Sequence, residues 1–350
     1  MLENANLRTT AMGIMPHRDS QKALELSLSL DIPFWPQLPN FSFFEDMYVQ
    51  TSENFPGIEI DEEKGRISFN TEKFRREIDH YFSLMGEEKT YEMSERYSSL
   101  FKRFISLDLS GYYAIRGQVT GPVSFGFKVL DEELKPIIYN EEVRPVLFDF
   151  IQRKVNRQFQ ILREKNGNAF VWVDEPGLAY IFSGFTGYND QQAKKDYREF
   201  MSGIEGPKGL HLCAEVNLPY LLELGLDLLS FDAIQIGFVS QEYGESIGEF
   251  IKRGGVMCWG IVPANSSILS ETSLDPYIKR LLEYWDKVSE YGKVDRKKIA
   301  SHSLLAPHRC CLREVSDGPL PVENIEERIV ERASSFLRSL SSELKRIFLS

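Results

Sequence analysis

A histidine and a cysteine two positions apart form the sharpest chemical feature of the sequence. His211 and Cys213 end a short apolar run, and residues two apart on a β-strand have their side chains on the same face. Both side chains could therefore bind one ion. Zinc takes His nitrogen and Cys thiolate, and catalytic zinc keeps three protein ligands and one open position. The pair alone is equally compatible with two unrelated core residues.

A second pair of cysteines, Cys310 and Cys311, occurs late in the chain. Either could supply a third zinc ligand, which strengthens the metal interpretation of the earlier pair. The remaining cysteine, Cys258, lies inside an apolar run and is predicted to pack in the core. Disulfides are not expected, because we expect the chain to be cytoplasmic.

A carboxylate follows another apolar run. Asp174 comes directly after Phe-Val-Trp-Val and two residues before Pro176. It could bind a substrate ammonium or act as a general base. The alternative is a residue that only ends the strand, since Asp near Pro is a common turn signal.

The elements that would position these side chains are short apolar runs separated by longer segments with helical spacing. Eight such runs predict strands: Ala11–Met15, Ile32–Trp35, Tyr112–Val119, Ala169–Val173, Gly209–Leu212, Leu228–Phe231, Val256–Ile261 and Ile299–Leu305. Strands that alternate with helices predict an α/β fold with a parallel sheet. Eight of them fit a (β/α)8 TIM barrel, in which the active site lies at the carboxyl ends of the strands. A doubly wound open sheet is the alternative, but no strand is followed by G-x-G-x-x-G.

The whole chain, residues 1–350, is predicted to form this one barrel domain, with a helical or irregular insertion after the second strand at about residues 40–103. Three helical segments are predicted with particular ranges: Glu141 to Arg163, Pro276 to Tyr291, which Asp275 could cap, and Val322 to Leu349 as one long helix or a pair of helices.

Composition excludes several classes of protein. Of 350 residues, 41 are Lys or Arg and 52 are Asp or Glu, which gives a net charge of −11. This acidic balance argues against binding to duplex nucleic acid. No run of about 20 uncharged residues is available to span a membrane. The first residues carry no apolar signal-peptide segment, so we expect a cytoplasmic protein.

Six motifs in order resemble the catalytic carboxyl-terminal barrel of cobalamin-independent methionine synthase. They read AMGIMPH, RGQVTGP, VDEP, HLCAEVN, LLSFDA and HRCCL, and an early FWPQLP resembles the short, single-barrel "core" members of that family. The resemblance extends from about residue 11 to about residue 315. It implies a TIM barrel and a zinc-dependent methyltransferase that makes methionine from homocysteine, or that methylates another small thiol.

The resemblance also implies a set of zinc ligands. His211, Cys213 and Cys310 match the family's ligands, with Cys311 as the alternative to Cys310 if the register slips by one. The family's fourth ligand is a glutamate, and Asp232 stands at its place with a side chain one methylene shorter.

Substrate-binding residues follow from the same comparison of motifs. Asp174 would hold the homocysteine ammonium. Gly13 and Ile14 match the family's I-G-S segment, where Ile14 replaces serine, so that a backbone amide but no hydroxyl could bind the substrate carboxylate. A family glutamate after the second strand has two nearby counterparts, Gln50 and Glu45.

The resemblance does not by itself identify the methyl donor. The full-length enzymes have a second barrel that helps to bind folate, and 350 residues leave no room for it. We therefore expect methylcobalamin, free or on a corrinoid protein, as the donor. The alternatives are a methylcobamide:coenzyme M-type methyltransferase, whose sulfonate substrate Asp174 would repel, and a non-catalytic corrinoid- or metal-binding accessory protein.

Overall fold

The structure is a computed structural model that describes residues 2, 4–182, 187–214, 217–310 and 324–349. Its strands are β1 (Arg8–Thr9), β2 (Ile58–Asp61), β3 (Arg66–Phe69), β4 (Arg116–Thr120), β5 (Phe170–Asp174), β6 (Lys208–Leu212), β7 (Leu228–Asp232), β8 (Val256–Val262) and β9 (Ser303–Pro307). Its α-helices are α1 (Ser20–Leu28), α2 (Met47–Ser52), α3 (Thr71–Ser83), α4 (Phe101–Ile105), α5 (Pro122–Lys128), α6 (Val143–Arg163), α7 (Asp190–Ser202), α8 (Leu218–Leu222), α9 (Gln241–Lys252), α10 (Asp275–Gly292), α11 (Arg296–Ser301) and α12 (Ile325–Phe348).

Seven strands form one parallel, curled sheet in the order β1-β9-β8-β7-β6-β5-β4. The segment at 32–37 lies between its two edges. Phe34 bridges to Arg116 of β4, while the amide of Ile32 donates to the carbonyl of Thr9 in β1 at 3.0 Å. The result is consistent with a TIM-like barrel.

The predicted strand at Ile32–Trp35 is present only as isolated bridges, so the count of eight regular strands is not confirmed. Pro33 and Pro36 explain this difference, because each lacks the amide hydrogen that a continuous ladder requires.

The strands have two buried faces, as expected for a parallel sheet whose outer face is covered by helices. In β5, Phe170 and Trp172 belong to a small cluster inside the curled sheet, whereas Val171 and Val173 belong to the large cluster between sheet and helices. Side chains alternate along a strand, so Asp174 continues the inner face.

Several predicted boundaries are wrong. The last strand begins at Ser303, because Ile299 belongs to α11, which Asp295 caps through the amide of Lys298. Helix α10 begins at Asp275 itself and has no side-chain cap. The helix predicted at 141–163 is observed as α6, which begins two residues later, and the described part of the segment predicted at 322–349 forms the single helix α12.

The insertion contains a β-hairpin that the sequence prediction missed. Strands β2 and β3 pair antiparallel, and helices α2, α3 and α4 complete the segment. Helix α2 contacts the carboxyl end of β4, where Thr120 donates from its hydroxyl to the carbonyl of Met47 and from its amide to the hydroxyl of Thr51. The insertion therefore lies beside the barrel mouth.

Among the described residues, no helix is both long enough and apolar enough to cross a membrane.

Candidate active site

One layer of inward-facing side chains crosses four neighbouring strands, from the carboxyl ends of β5 and β6 to the interior of β7 and β8. Asp174 of β5 pairs in register with His211 of β6, His211 pairs with Ser230 of β7, and Ser230 pairs with Cys258 of β8. Residues that pair across strands have side chains on the same face. The sheet therefore brings Asp174 and His211, both predicted from the sequence, to adjacent positions.

The His211 ring is held by a hydroxyl. Its Nδ1 lies 3.0 Å from the Ser230 Oγ, and the side chain of Ser230 also contacts the Cys258 thiol. His211 is buried, so the hydrogen bond fixes its orientation and leaves Nε2 as the ring atom for a ligand. Metal-binding histidines commonly use their second nitrogen in this way.

The Cys213 thiol joins two of the predicted ligands. Its side chain forms hydrogen bonds with both Cys310 and His211. The contact with Cys310 and burial raise the pKa of the Cys213 thiol well above its usual range, while His211 opposes this shift. Without a cation, the Cys213 thiol therefore stays protonated near neutral pH. The alternative ligand Cys311 lies outside the described residues.

Asp232 is fully buried at the end of β7. Its Oδ1 accepts hydrogen bonds from the amides of Ile234 and Gln235 at 2.9 and 3.2 Å, while its Oδ2 has no hydrogen-bond partner within the part of the chain that the structure describes. Burial raises the pKa of Asp232, and the nearby His308 lowers it. An unpartnered buried acceptor is costly, which suits a group that meets a cation or a proton.

The donor set fits zinc in its chemistry. An imidazole, two thiols and a carboxylate are the ligand types that zinc takes in proteins, and a bound cation would reverse the rise in the thiol pKa. Three such side chains can hold one ion when their ligand atoms all lie within 4.8 Å of one another. In the described part of the chain, the group that meets this distance is His17, Glu327 and Glu331.

Asp174 lies above a fully buried arginine. Arg116 donates from Nε to the Thr10 hydroxyl and from Nη1 to Gln118 Oε1, both at 3.0 Å. Burial raises the pKa of Asp174 to about 7, and the positive charge of Arg116 opposes this rise. A cationic group of a ligand would favour the ionised carboxylate further.

Glu175, the next residue, is held by hydrogen bonds to neighbouring helices. Its carboxylate accepts hydrogen bonds from the amides of Val123 and Ser124, the Ser124 hydroxyl and the Tyr197 hydroxyl, at 2.5 to 3.1 Å. Gly121 permits this approach, because a Cβ there would lie 2.2 Å from Glu175 Oε1. Burial raises the pKa of Glu175 to about 7, and these hydrogen bonds counteract the rise.

The residues predicted to bind the substrate carboxylate are tightly packed. The Gly13 carbonyl accepts a hydrogen bond from the Gln37 amide at 2.8 Å, and a Cβ on Gly13 would lie 2.5 Å from Gln118 Cδ. Ile14 is 9% exposed and bridges to Gln37. Gly13 thus leaves room for Gln118.

Gln50 and Glu45 are both engaged within the insertion. Gln50 Oε1 accepts from Gln37 Nε2 at 2.6 Å, and its Nε2 donates to the Tyr97 carbonyl at 2.7 Å. The Glu45 carboxylate accepts from the amides of Leu38 and Ser99 and from the Ser99 hydroxyl. These contacts join the insertion to the strand-like segment at 32–37.

Several residues around the site were missed by sequence reasoning. Arg116 and Ser230 lie inside predicted strands, and only the register shows that they face the site. Tyr48 of α2 lies close to Glu175 and Cys213, and burial raises the pKa of its phenol, with Asp46 and Glu175 adding to the effect. No local sequence signal marks Tyr48, because its position depends on how the insertion folds back.

The comparisons with known proteins support the fold class. A solved structure from Listeria monocytogenes, provisionally named a vitamin-B12 independent methionine synthase, matches 93% of this chain and 84% of that chain with a TM-score of 0.51. The sequences are 12% identical, so the similarity establishes an α/β, TIM-barrel-like fold of the kind seen in that protein. No family model and no curated protein matches the sequence.

Proposed function

We propose that the protein is a zinc-dependent thiol methyltransferase that converts homocysteine to methionine and takes the methyl group from a methylated corrinoid. The observation that carries the proposal is the meeting of Cys213 with both His211 and Cys310 at the carboxyl ends of the strands. The neighbouring Asp174 supports an amino-acid substrate, and the fold similarity is in accord with this chemistry.

His211, Cys213 and Cys310 would hold the ion, with Asp232 as the nearby carboxylate. Zinc, when bound, lowers the pKa of a thiol and so keeps the substrate sulfur nucleophilic at neutral pH. Ser230 keeps the His211 ring oriented through the hydrogen bond at Nδ1. Asp174 would bind the substrate ammonium one strand away and so fix the position of the sulfur.

In the reaction, the homocysteine thiol loses its proton to solvent and the sulfur attacks the methyl carbon. The methylated corrinoid would be the co-substrate that supplies the methyl group, and it would keep the electron pair of its carbon–cobalt bond. Exposed rings follow two of the strands and support contact with a large flat donor: Tyr180 and Phe182 after β5, 61% and 42% exposed, and Phe238 after β7, 74% exposed.

The test pairs zinc content with methionine formation from homocysteine and free methylcobalamin. We expect Cys213→Ser and Cys310→Ser to lose about one zinc ion per chain relative to wild type, together with turnover. Cys258→Ala is the matched control, because this buried thiol contacts Ser230 and is not one of the predicted ligands, and it should keep both. Cys311→Ser tests the alternative ligand.

Asp174→Asn separates substrate binding from metal binding. It should keep the zinc and raise KM for homocysteine about 10- to 100-fold, because a hydrogen bond to a charged group is lost. Full turnover in Cys213→Ser would overturn the zinc mechanism. Zinc binding without methionine formation, but with methylation of coenzyme M, would overturn the assignment of homocysteine.

A further inference from the structure

A second histidine lies in an unusual environment, away from the strand-end cysteines. His17 follows β1 and is 0% exposed. Among the described residues, neither of its ring nitrogens has a hydrogen-bond partner. Leaving a buried polar group unsatisfied costs about 1–3 kcal/mol, so this imidazole calls for a ligand that the described part of the chain does not provide through hydrogen bonds.

Two carboxylates of α12 face this ring. Glu327 and Glu331 are four residues apart and therefore lie on one side of the helix. His17 Nε2 is 3.8 Å from Glu331 Oε1, and one ligand atom from each of the three residues lies within 4.8 Å of the other two. Burial lowers the pKa of His17, and a neutral imidazole is the form that binds metals.

A lysine now neutralises part of this negative charge. Lys22 Nζ lies 2.5 Å from Glu331 Oε1 and 3.8 Å from Glu327 Oε2. The Lys22 side chain is 50% exposed, so it can turn into water when another cation arrives. The two carboxylates and Asp19 outnumber this one ammonium among the charges that act on His17.

We propose that His17, Glu327 and Glu331 form a divalent metal site distinct from the His211–Cys213–Cys310 cluster. One imidazole and two carboxylates select a first-row ion of intermediate hardness, whereas the thiols at the other cluster select a softer one. A metal here would join the start of α12 to the segment that follows β1. This proposal does not depend on the proposed methyltransferase activity.

The test uses Mn²⁺, which favours oxygen and nitrogen ligands over thiolates. Titration of the purified full-length chain, followed by the EPR signal of free Mn²⁺, should show about one saturable site. Glu331→Gln and His17→Leu should each weaken Mn²⁺ binding at least about tenfold. Loss of a residue that only hydrogen-bonds to a metal ligand already lowers affinity by about that factor. Cys213→Ser should bind Mn²⁺ as wild type does.

Two further variants separate a metal site from an ordinary ion-pair network. Glu326→Gln removes the same charge from the same turn of α12 and should leave binding unchanged. Lys22→Met removes the competing ammonium and should tighten Mn²⁺ binding, whereas a purely structural network would only lose stability. Mn²⁺ should also raise the melting temperature of wild type but not of His17→Leu.

Absence of saturable Mn²⁺ binding to wild type would overturn the proposal. The proposal would also be overturned if His17→Leu and Glu331→Gln melt cooperatively and each binds Mn²⁺ with the affinity of wild type, because the site would then lie elsewhere.

Discussion

Lys154 is an ammonium group buried where the insertion meets the barrel. It lies on α6, 4% exposed, with Nζ 3.5 Å from the carbonyl of Gln50 and 5.3 Å from the centre of the Phe150 ring. Burial lowers the pKa of Lys154 from 10.5 to about 8, and the charge of Glu53 opposes this shift. We predict that Lys154→Met stabilises the protein near neutral pH.

The size of the effect follows from linkage. The unfolded chain binds a proton at Lys154 up to a higher pH than the folded chain does, so wild-type stability gains from this group as pH rises from about 8 towards 10.5. A shift of one pKa unit corresponds to about 1.4 kcal/mol, so the folded protein loses about 3 kcal/mol at neutral pH by holding this charge. Met has a similar length and no charge.

Chemical denaturation at several pH values measures this prediction. The stability advantage of Lys154→Met over wild type should shrink by about 2 kcal/mol between pH 8 and pH 10. Lys297→Met, at an exposed position of α11, is the control and should show no such pH-dependent difference. If the profiles of wild type and Lys154→Met run parallel, the reasoning is refuted.

Two further predictions concern the barrel interior. Ser230→Ala should weaken zinc binding about 10- to 100-fold in a chelator competition, because His211 loses the partner of Nδ1; Ser303→Ala, which removes another buried hydroxyl, should leave the affinity unchanged. Gly13→Ala should lower the free energy of unfolding by about 1–3 kcal/mol in a denaturant titration, because its Cβ would overlap Gln118. Unchanged stability would mean that Gln118 can move aside.

The period of two along a strand and the strand-end rule for barrels were enough to predict where two of the candidate residues lie. His211 and Asp174 are predicted at the carboxyl ends of their strands and are observed at paired positions there. The role of Ser230 is invisible in the sequence, since it depends on the register of β6 against β7. In the sequence, Arg116 is a charge that interrupts an apolar run. Only the structure shows the hydrogen bonds to Thr10 and Gln118 that let the barrel interior accommodate this charge.

The insertion shows a different limit. Ile58 and Ile60 alternate with polar residues, as do Ile67 and Phe69, and the turn between them contains Gly65. This pattern favours a hairpin, but the acidic residues between the two runs are equally typical of an irregular surface loop. The contacts that fix the segment beside the mouth lie far apart in sequence and cannot be predicted from local pattern.

The His17 cluster depends on the same kind of long-range contact. The i, i+4 spacing of Glu327 and Glu331 is visible in the sequence, but many exposed helices carry such pairs, and nothing local connects them to a histidine at the opposite end of the chain. The fold makes the connection by placing the start of α12 against the segment after β1. Since one cluster offers thiols and the other only nitrogen and oxygen, the two would differ in the ions they prefer. At the proposed His17 cluster, the fold therefore brings together ligand types whose spacing in the sequence does not predict a metal site, and metal specificity measured separately at each cluster would test this difference.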